Sequence, residues 1–165
     1  MSDNTAGLPE ELEKIHSIMK GIRTTMLVSH DADAALHSHP MTTQEAEFTG
    51  ECWFIAGAGS DIVQQITADP RVNLAYSGTS SWLSLSGTAT IVDDVAKKKD
   101  LWNTFTDVWF DGGPEDPKAV LIHVDAESAQ YWDTPGRLAT VVSMLKAKVT
   151  GDRPGVGESE EVQLG

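Results

Sequence analysis

Between Trp82 and Val92 the chain alternates without interruption. Leu83, Leu85, Gly87, Ala89 and Ile91 fall on one side, and Trp82, Ser84, Ser86, Thr88 and Thr90 on the other. A period of two over that length predicts a β-strand with one apolar and one polar face. Weaker versions of the signal occur at Thr24 to Ser29, Ala35 to Met41, Glu51 to Ala56, Arg71 to Tyr76, Ala119 to Val124 and Gln130 to Trp132. Turn residues separate them, including Asp31-Ala32-Asp33 and Gly57-Ala58-Gly59-Ser60.

Helical spacing appears between the strands. Leu8, Leu12, Ile15, Met19 and Ile22 recur at helix period, with Pro9 in the first turn, so residues 8–22 read as an amphipathic helix. Asp61 to Thr67 reads as a short helix stopped by Asp69-Pro70. A third is expected over 95–108, with Leu101, Phe105, Val108 and Trp109 on its apolar side, and a fourth from Leu138 to Lys148. The segment Phe110 to Pro117 is too rich in breakers to be regular. Six or seven strands with short helices predict an α+β fold whose antiparallel sheet closes into a barrel. The expected organisation is a barrel domain over 8–135. A C-terminal helix and polar, acidic tail over 136–165 would pack on it or trail from it.

The 165 residues carry a formal net charge of −13. A surface that acidic repels phosphate backbones and anionic lipid, so neither nucleic acid nor membrane is expected as a partner. No apolar run approaches the roughly 20 residues of a spanning helix. The N-terminus lacks a basic-then-apolar leader pattern, and the one cysteine, Cys52, suits a reducing compartment. A cytoplasmic protein is expected.

Candidate chemistry concentrates in Leu36-His37-Ser38-His39-Pro40-Met41 and in the Gly57–Ser60 turn. His37 and His39, two apart on a strand, share a face and are placed to ligate one metal if Glu45 or His123 supplies a third ligand. Pro40 equally suits an edge strand carrying two solvated histidines. The glycine turn opening a helix is a possible anion nest. The alternative is an ordinary turn in which Ser60 caps the helix, worth about 1 kcal/mol, and Asp61 favours that alternative by complementing the helix dipole itself. Five tryptophans invite ligand stacking or an interface. Trp102 and Trp109 lie seven apart on one helical stripe, so at least one is expected inside. Cys52 reads as a buried thiol, and Lys97-Lys98-Lys99 as a solvated helix face. No Gly-x-Ser-x-Gly, Walker or His-Glu-x-x-His motif is present.

Taken in order, Leu36 to Met41, Trp53-Phe54, Ser60, Asp69-Pro70-Arg71-Val72-Asn73, Ser86-Gly87-Thr88-Ala89, Leu101-Trp102, Trp109-Phe110, Gly113, Asp116-Pro117 and Tyr131-Trp132-Asp133 resemble the pyridoxamine-phosphate-oxidase-like split barrels, in the bacterial general stress protein branch. The resemblance implies a six-stranded split barrel that forms a homodimer and binds FMN at the subunit interface, as a flavin-dependent oxidoreductase or a flavin reservoir. Under it the flavin ring lies along the strand holding Pro40 and Met41, the phosphate lies near the 56–62 turn with Ala56, Ser60, Asp61 and Ile62, and Thr42 and Ile55 complete the cofactor-binding set. Trp109 and Trp132 approach from the partner. Where the family has arginine, threonine and lysine, this chain has His39, Ala56 and Ile62, which implies a weakened phosphate site. Two alternatives stay beside it: the same fold without flavin, serving another ligand or a protein partner, and a metal-binding barrel built on His37 and His39.

Overall fold

The computed structural model describes residues 8–44, 47–134, 144, 148–151 and 158–165. Its elements run α1 (Leu8–Met19), β1 (Thr24–His30), β2 (Leu36–Thr42), β3 (Glu51–Gly57), α2 (Asp61–Ala68), β4 (Arg71–Ser77), β5 (Ser81–Val92), α3 (Val95–Leu101), α4 (Thr104–Asp107), β6 (Ala119–Asp133) and β7 (Glu158–Gln163). The strands form one antiparallel sheet in the order β2-β1-β4-β5-β6-β3. Curled into a half-barrel with short helices around it, this sheet is the expected α+β split barrel.

The alternation that predicted β5 is the alternation that builds the core. Leu83, Leu85 and Ala89 are buried beside Leu27, Phe54, Leu74, Ile122 and Val124, and each large side chain so buried contributes about 1.5–3 kcal/mol. α1 lies against β5 through Ile15 and Ile18, while α2 lies across β1 and β5 through Ile62, Val63 and Ile66. Gly87 marks the one irregularity in the long β5–β6 pairing, where the register shifts by a residue. A Cβ there would stand 2.0 Å from the Asp125 carbonyl oxygen, so only glycine lets β6 come this close.

Several expectations are corrected. α1 ends at Met19, and the Ile22 amide closes a turn on the Met19 carbonyl instead of extending the helix. The helix expected over 95–108 is two. Asn103, in extended backbone, accepts from the Thr106 amide at 3.1 Å and so starts α4 afresh. The break swings the intended apolar side outward: Phe105, Val108 and Trp109 are 60, 76 and 70% exposed. Trp102 is half-buried against Phe110. The two last strands are one, β6, whose middle lacks clean alternation because of the bulge opposite Gly87.

The tail also differs from the expectation. β3 covers one edge of β6 only as far as Asp125, and β7 pairs with the rest, from Ser128 to Asp133. Val162 is buried and Leu164 packs on the core, so the last residues close the sheet. The helix expected from Leu138 to Lys148 lies mostly outside the described residues. Among the described residues no helix is long and apolar enough to cross a membrane.

Candidate functional site

The side chains of Thr25, Leu27 and Ser29 on β1 point inward, opposite Met41, His39 and His37 of β2. α2 packs over this end of the barrel and presents Gln65 to them. The His39 Nε2 lies 2.9 Å from Gln65 Oε1, and the Ser29 hydroxyl donates to the same oxygen at 2.6 Å. An amide oxygen only accepts, so Nε2 carries a proton and the His39 ring donates to Gln65. Gln65 is thereby the pin between β2 and α2.

At the other end of α2 the chain makes a tight turn. The Ser60 amide donates to the Gly57 carbonyl at 3.0 Å, and the Ser60 hydroxyl donates to the same oxygen at 2.7 Å. Ser60 has the extended backbone of an N-cap but makes no side-chain cap bond, contrary to the capping alternative. The first-turn amides of α2 therefore face outward without a side-chain acceptor, at the positive end of the helix dipole. The Ala58 amide donates to the Lys118 carbonyl at 2.8 Å, tying the turn to the start of β6.

The residues singled out in the sequence divide into three sets around this corner. His39, Ser60 and Asp61 are at its surface, with Pro40 and Thr42 exposed on β2 and Ile55 half-buried on the outer side of β3. Met41, Ala56 and Ile62 are buried, so Ala56 and Ile62 offer a ligand their backbone and not their side chains. Trp132 pairs with Trp82 on the outer face, four strands from β2, roughly 19 Å along the sheet; Trp109 is exposed beyond α4. Neither tryptophan is brought to the corner by its own chain through these pairings. Gln65 and Lys118 escaped the sequence reading. The first sits at the edge of the apolar stripe Ile62, Val63, Ile66, a position that half-faces the barrel. The second is placed only by strand pairing.

His37 and His39 do share a face, as expected, but His37 Nε2 is 2.7 Å from Asp31 Oδ2 and His39 is held by Gln65. The His37 bond and then the Ala35 amide keep the Asp31 carboxyl below its usual range. His123 lies on β6, where its Nε2 is 2.8 Å from Glu51 Oε2 and its ring stacks on Trp53. That bond lowers the Glu51 carboxyl despite partial burial. Glu45 lies outside the described residues, and among those described no three His, Cys, Asp or Glu groups gather as a metal site.

A separate cleft of about 140 Å³ opens between α1, β3 and α3, with Cys52, Phe54, Tyr76 and Leu101 in its wall. Burial pushes the Cys52 thiol up to about 11 and raises Tyr76 as well, so this thiol is inert, as expected. The lysine run is not a uniformly solvated face. Lys97 lies over the Trp53 ring and Lys99 reaches Glu115, but Lys98 is buried, its ammonium 2.8 Å from Asp93 and 3.0 Å from the Ala119 carbonyl.

The outer face of the sheet carries Thr24, Met26, Val28, Ser38, Pro40, Thr42, Asn73, Ala75, Ser77, Trp82, Ser84, Ser86, Ser128, Gln130 and Trp132. These are uncharged, while Arg71, Glu51, Asp125 and Glu161 on the same face carry charge beside them.

Known proteins share this arrangement. A general stress protein 26 from Jannaschia sp. superposes with a TM-score of 0.80 at 26% identity, over 97% of this chain and 100% of that one. A general stress FMN/FAD binding protein from Xanthomonas citri does so with a TM-score of 0.65 at 32% identity, over 76% and 89%. Protein bli-3 of Neurospora crassa is 27% identical across 97% of this chain and 83% of its own length. The sequence matches the family described as pyridoxamine 5'-phosphate oxidase like over residues 10–155. With nearly the whole barrel inside that match, the chain belongs to the pyridoxamine 5'-phosphate oxidase-like family.

Proposed function

We propose that this chain binds a flavin, FMN by the family pattern, at the interface of a homodimer, where it serves as a flavin-dependent oxidoreductase. The observation that carries the reading is the open start of α2, a helix whose far end is held to β2. Gln65 bonds to His39, and the first-turn amides beside Ser60 have no side-chain cap. A helix start in that state suits an anionic group. The flavin ring would lie along Pro40, Met41 and Thr42 with Ile55 beside it. Its phosphate would meet Ser60 and the amides of Asp61 and Ile62. The description of the Xanthomonas citri relative as FMN/FAD binding supports the assignment.

Bound flavin supplies the electron transfer itself, so the chain's task is to bind, orient and tune it. His39 replaces a permanent cation by an imidazole already donating to Gln65, and Ala56 and Ile62 add no polar side chain. FMN binding weaker than in relatives with the full cationic set is the consequence. The pair of Trp82 and Trp132, each 40% exposed on the outer face beside the uncharged Ser77 and Ser84, supports a second copy packing there. That copy would bring the partner's Trp109 and Trp132 toward the ring. The single thiol, buried and free, supports a cytoplasmic location.

The same barrel without flavin, serving another ligand or a protein partner, is favoured by the burial of Ile62 and the satisfied ring of His39. Titration of FMN into purified protein, read by flavin fluorescence quenching alongside sedimentation analysis, decides between them. Saturable quenching on a dimer is expected. No change at tens of micromolar FMN transfers the assignment to the flavin-free reading.

A further inference from the structure

We infer that Lys118, a residue outside the family's phosphate pattern, supplies the cationic contact to the flavin phosphate; the inference rests on the flavin reading above. A phosphate monoester carries a charge of about −1.5 to −2 near neutral pH. The half-charge of the α2 start is opposed by the Asp61 carboxylate in the same turn, so the turn alone holds a dianion poorly. A cation within reach is required, and His39 has its Nε2 committed to Gln65 at the far end of α2.

Five other cations among the described residues are engaged elsewhere. Arg71 is bonded through two nitrogens to Asp69 past the far end of α2, and Lys98 is buried on Asp93. Lys97 lies over Trp53, Lys99 reaches Glu115 and Lys14 reaches Asp133. Lys118 is the cation whose backbone adjoins the turn, its carbonyl accepting from the Ala58 amide at 2.8 Å while the next residue, Ala119, pairs with Gly57. Paired residues of antiparallel strands have Cα atoms roughly 5 Å apart, and Ser60 lies two residues beyond Ala58. A four-carbon stem spans that interval, and because Lys118 is exposed its ammonium reaches a phosphate without a burial penalty. Asp116 is the acid that competes for it. Its two oxygens take the Lys118 and Gly112 amides, which together with the charge of Lys118 hold its carboxyl low.

The test compares FMN with riboflavin, which lacks the phosphate, on the full chain and on Lys118→Gln and Lys118→Arg. In Lys118→Gln, FMN affinity is expected to fall about tenfold, the low end for one charge-assisted bond. Riboflavin affinity is expected not to change, and Lys118→Arg to retain FMN. Part of the salt dependence of FMN binding should vanish in Lys118→Gln. An unchanged FMN-to-riboflavin ratio in Lys118→Gln overturns the inference while leaving flavin binding intact. Failure of the unaltered chain to bind either flavin overturns the flavin reading itself.

Discussion

Replacing Lys98 tests how α3 is held to the barrel. The side chain is 1% exposed, and its ammonium donates to Asp93 Oδ1 at 2.8 Å and to the Ala119 carbonyl at 3.0 Å, with the Asp116 carbonyl at the limit of 3.5 Å. In Lys98→Met the stem survives and the three bonds are lost. Asp93 is 62% exposed, so water replaces its partner and little is forfeited there. Ala119 is wholly buried, and leaving its carbonyl unpaired costs about 1–3 kcal/mol. Lys98→Ala adds the loss of three methylenes at about 0.8 kcal/mol each, for a total of roughly 3–5 kcal/mol. Urea unfolding followed by circular dichroism reads both. The midpoint should fall in the order parent, Met, Ala at unchanged slope, with the melting temperature dropping roughly 2–4 °C per kcal/mol for a chain of this size. If Met matches the parent within about 0.5 kcal/mol and Ala is no worse than Met, the ammonium is not what pins α3 to β6.

Two further outcomes follow from the same structure. Gly87→Ala places a methyl against the Asp125 carbonyl oxygen in the interior of β5–β6 pairing. A loss of about 3 kcal/mol is expected by urea unfolding, and a loss near zero would mean the bulge relaxes freely. Acid should destabilise the fold through Asp31 and Glu51, whose folded-state pKa values are lowered chiefly by His37 and His123. A lowered carboxyl contributes stability above its unfolded pKa, about 4, and that contribution disappears as pH falls through the folded value. The urea midpoint should therefore drop below about pH 4. The drop should be shallower in His37→Ala and His123→Ala, and parallel curves for all three proteins would refute the pairing.

The parts of the fold legible in the sequence are those where one period governs a whole segment. β5 alternates across its length because one sheet face is core and the other is not, so its residues state both the strand and its orientation. α2 was legible for the same reason, with a proline closing it. The helix over 95–108 failed because Asn103 starts a new helix inside an acceptable apolar pattern, and local capping outweighed the periodicity. β7 was illegible since its only strong apolar signal is Val162 with Leu164. What makes it a strand is the edge of β6 left open by β3, a fact of topology and not of the tail.

The candidate site repeats that division. The segments proposed for it, β2 and the glycine turn, carry local signals in the sequence; the contacts made there do not. From the sequence His39 reads as a lost arginine, a subtraction. In the structure it is one member of a set in which Ser29 and His39 both donate to Gln65, which holds the ring turned toward α2. A histidine used that way joins two elements of the barrel and is not held ready as an anion clamp. On the flavin reading, the charge a bound phosphate would require would come from a residue adjoining the same turn by another route. The pairing of Ala58 with the start of β6 supplies one, sixty residues away in the chain, in Lys118. Strand pairing, not sequence spacing, decides which cation a phosphate at α2 would meet. For that reason comparison of FMN with riboflavin in Lys118→Gln probes the site more directly than any change at His39, where loss of the Gln65 bond would disturb the fold and the ligand together.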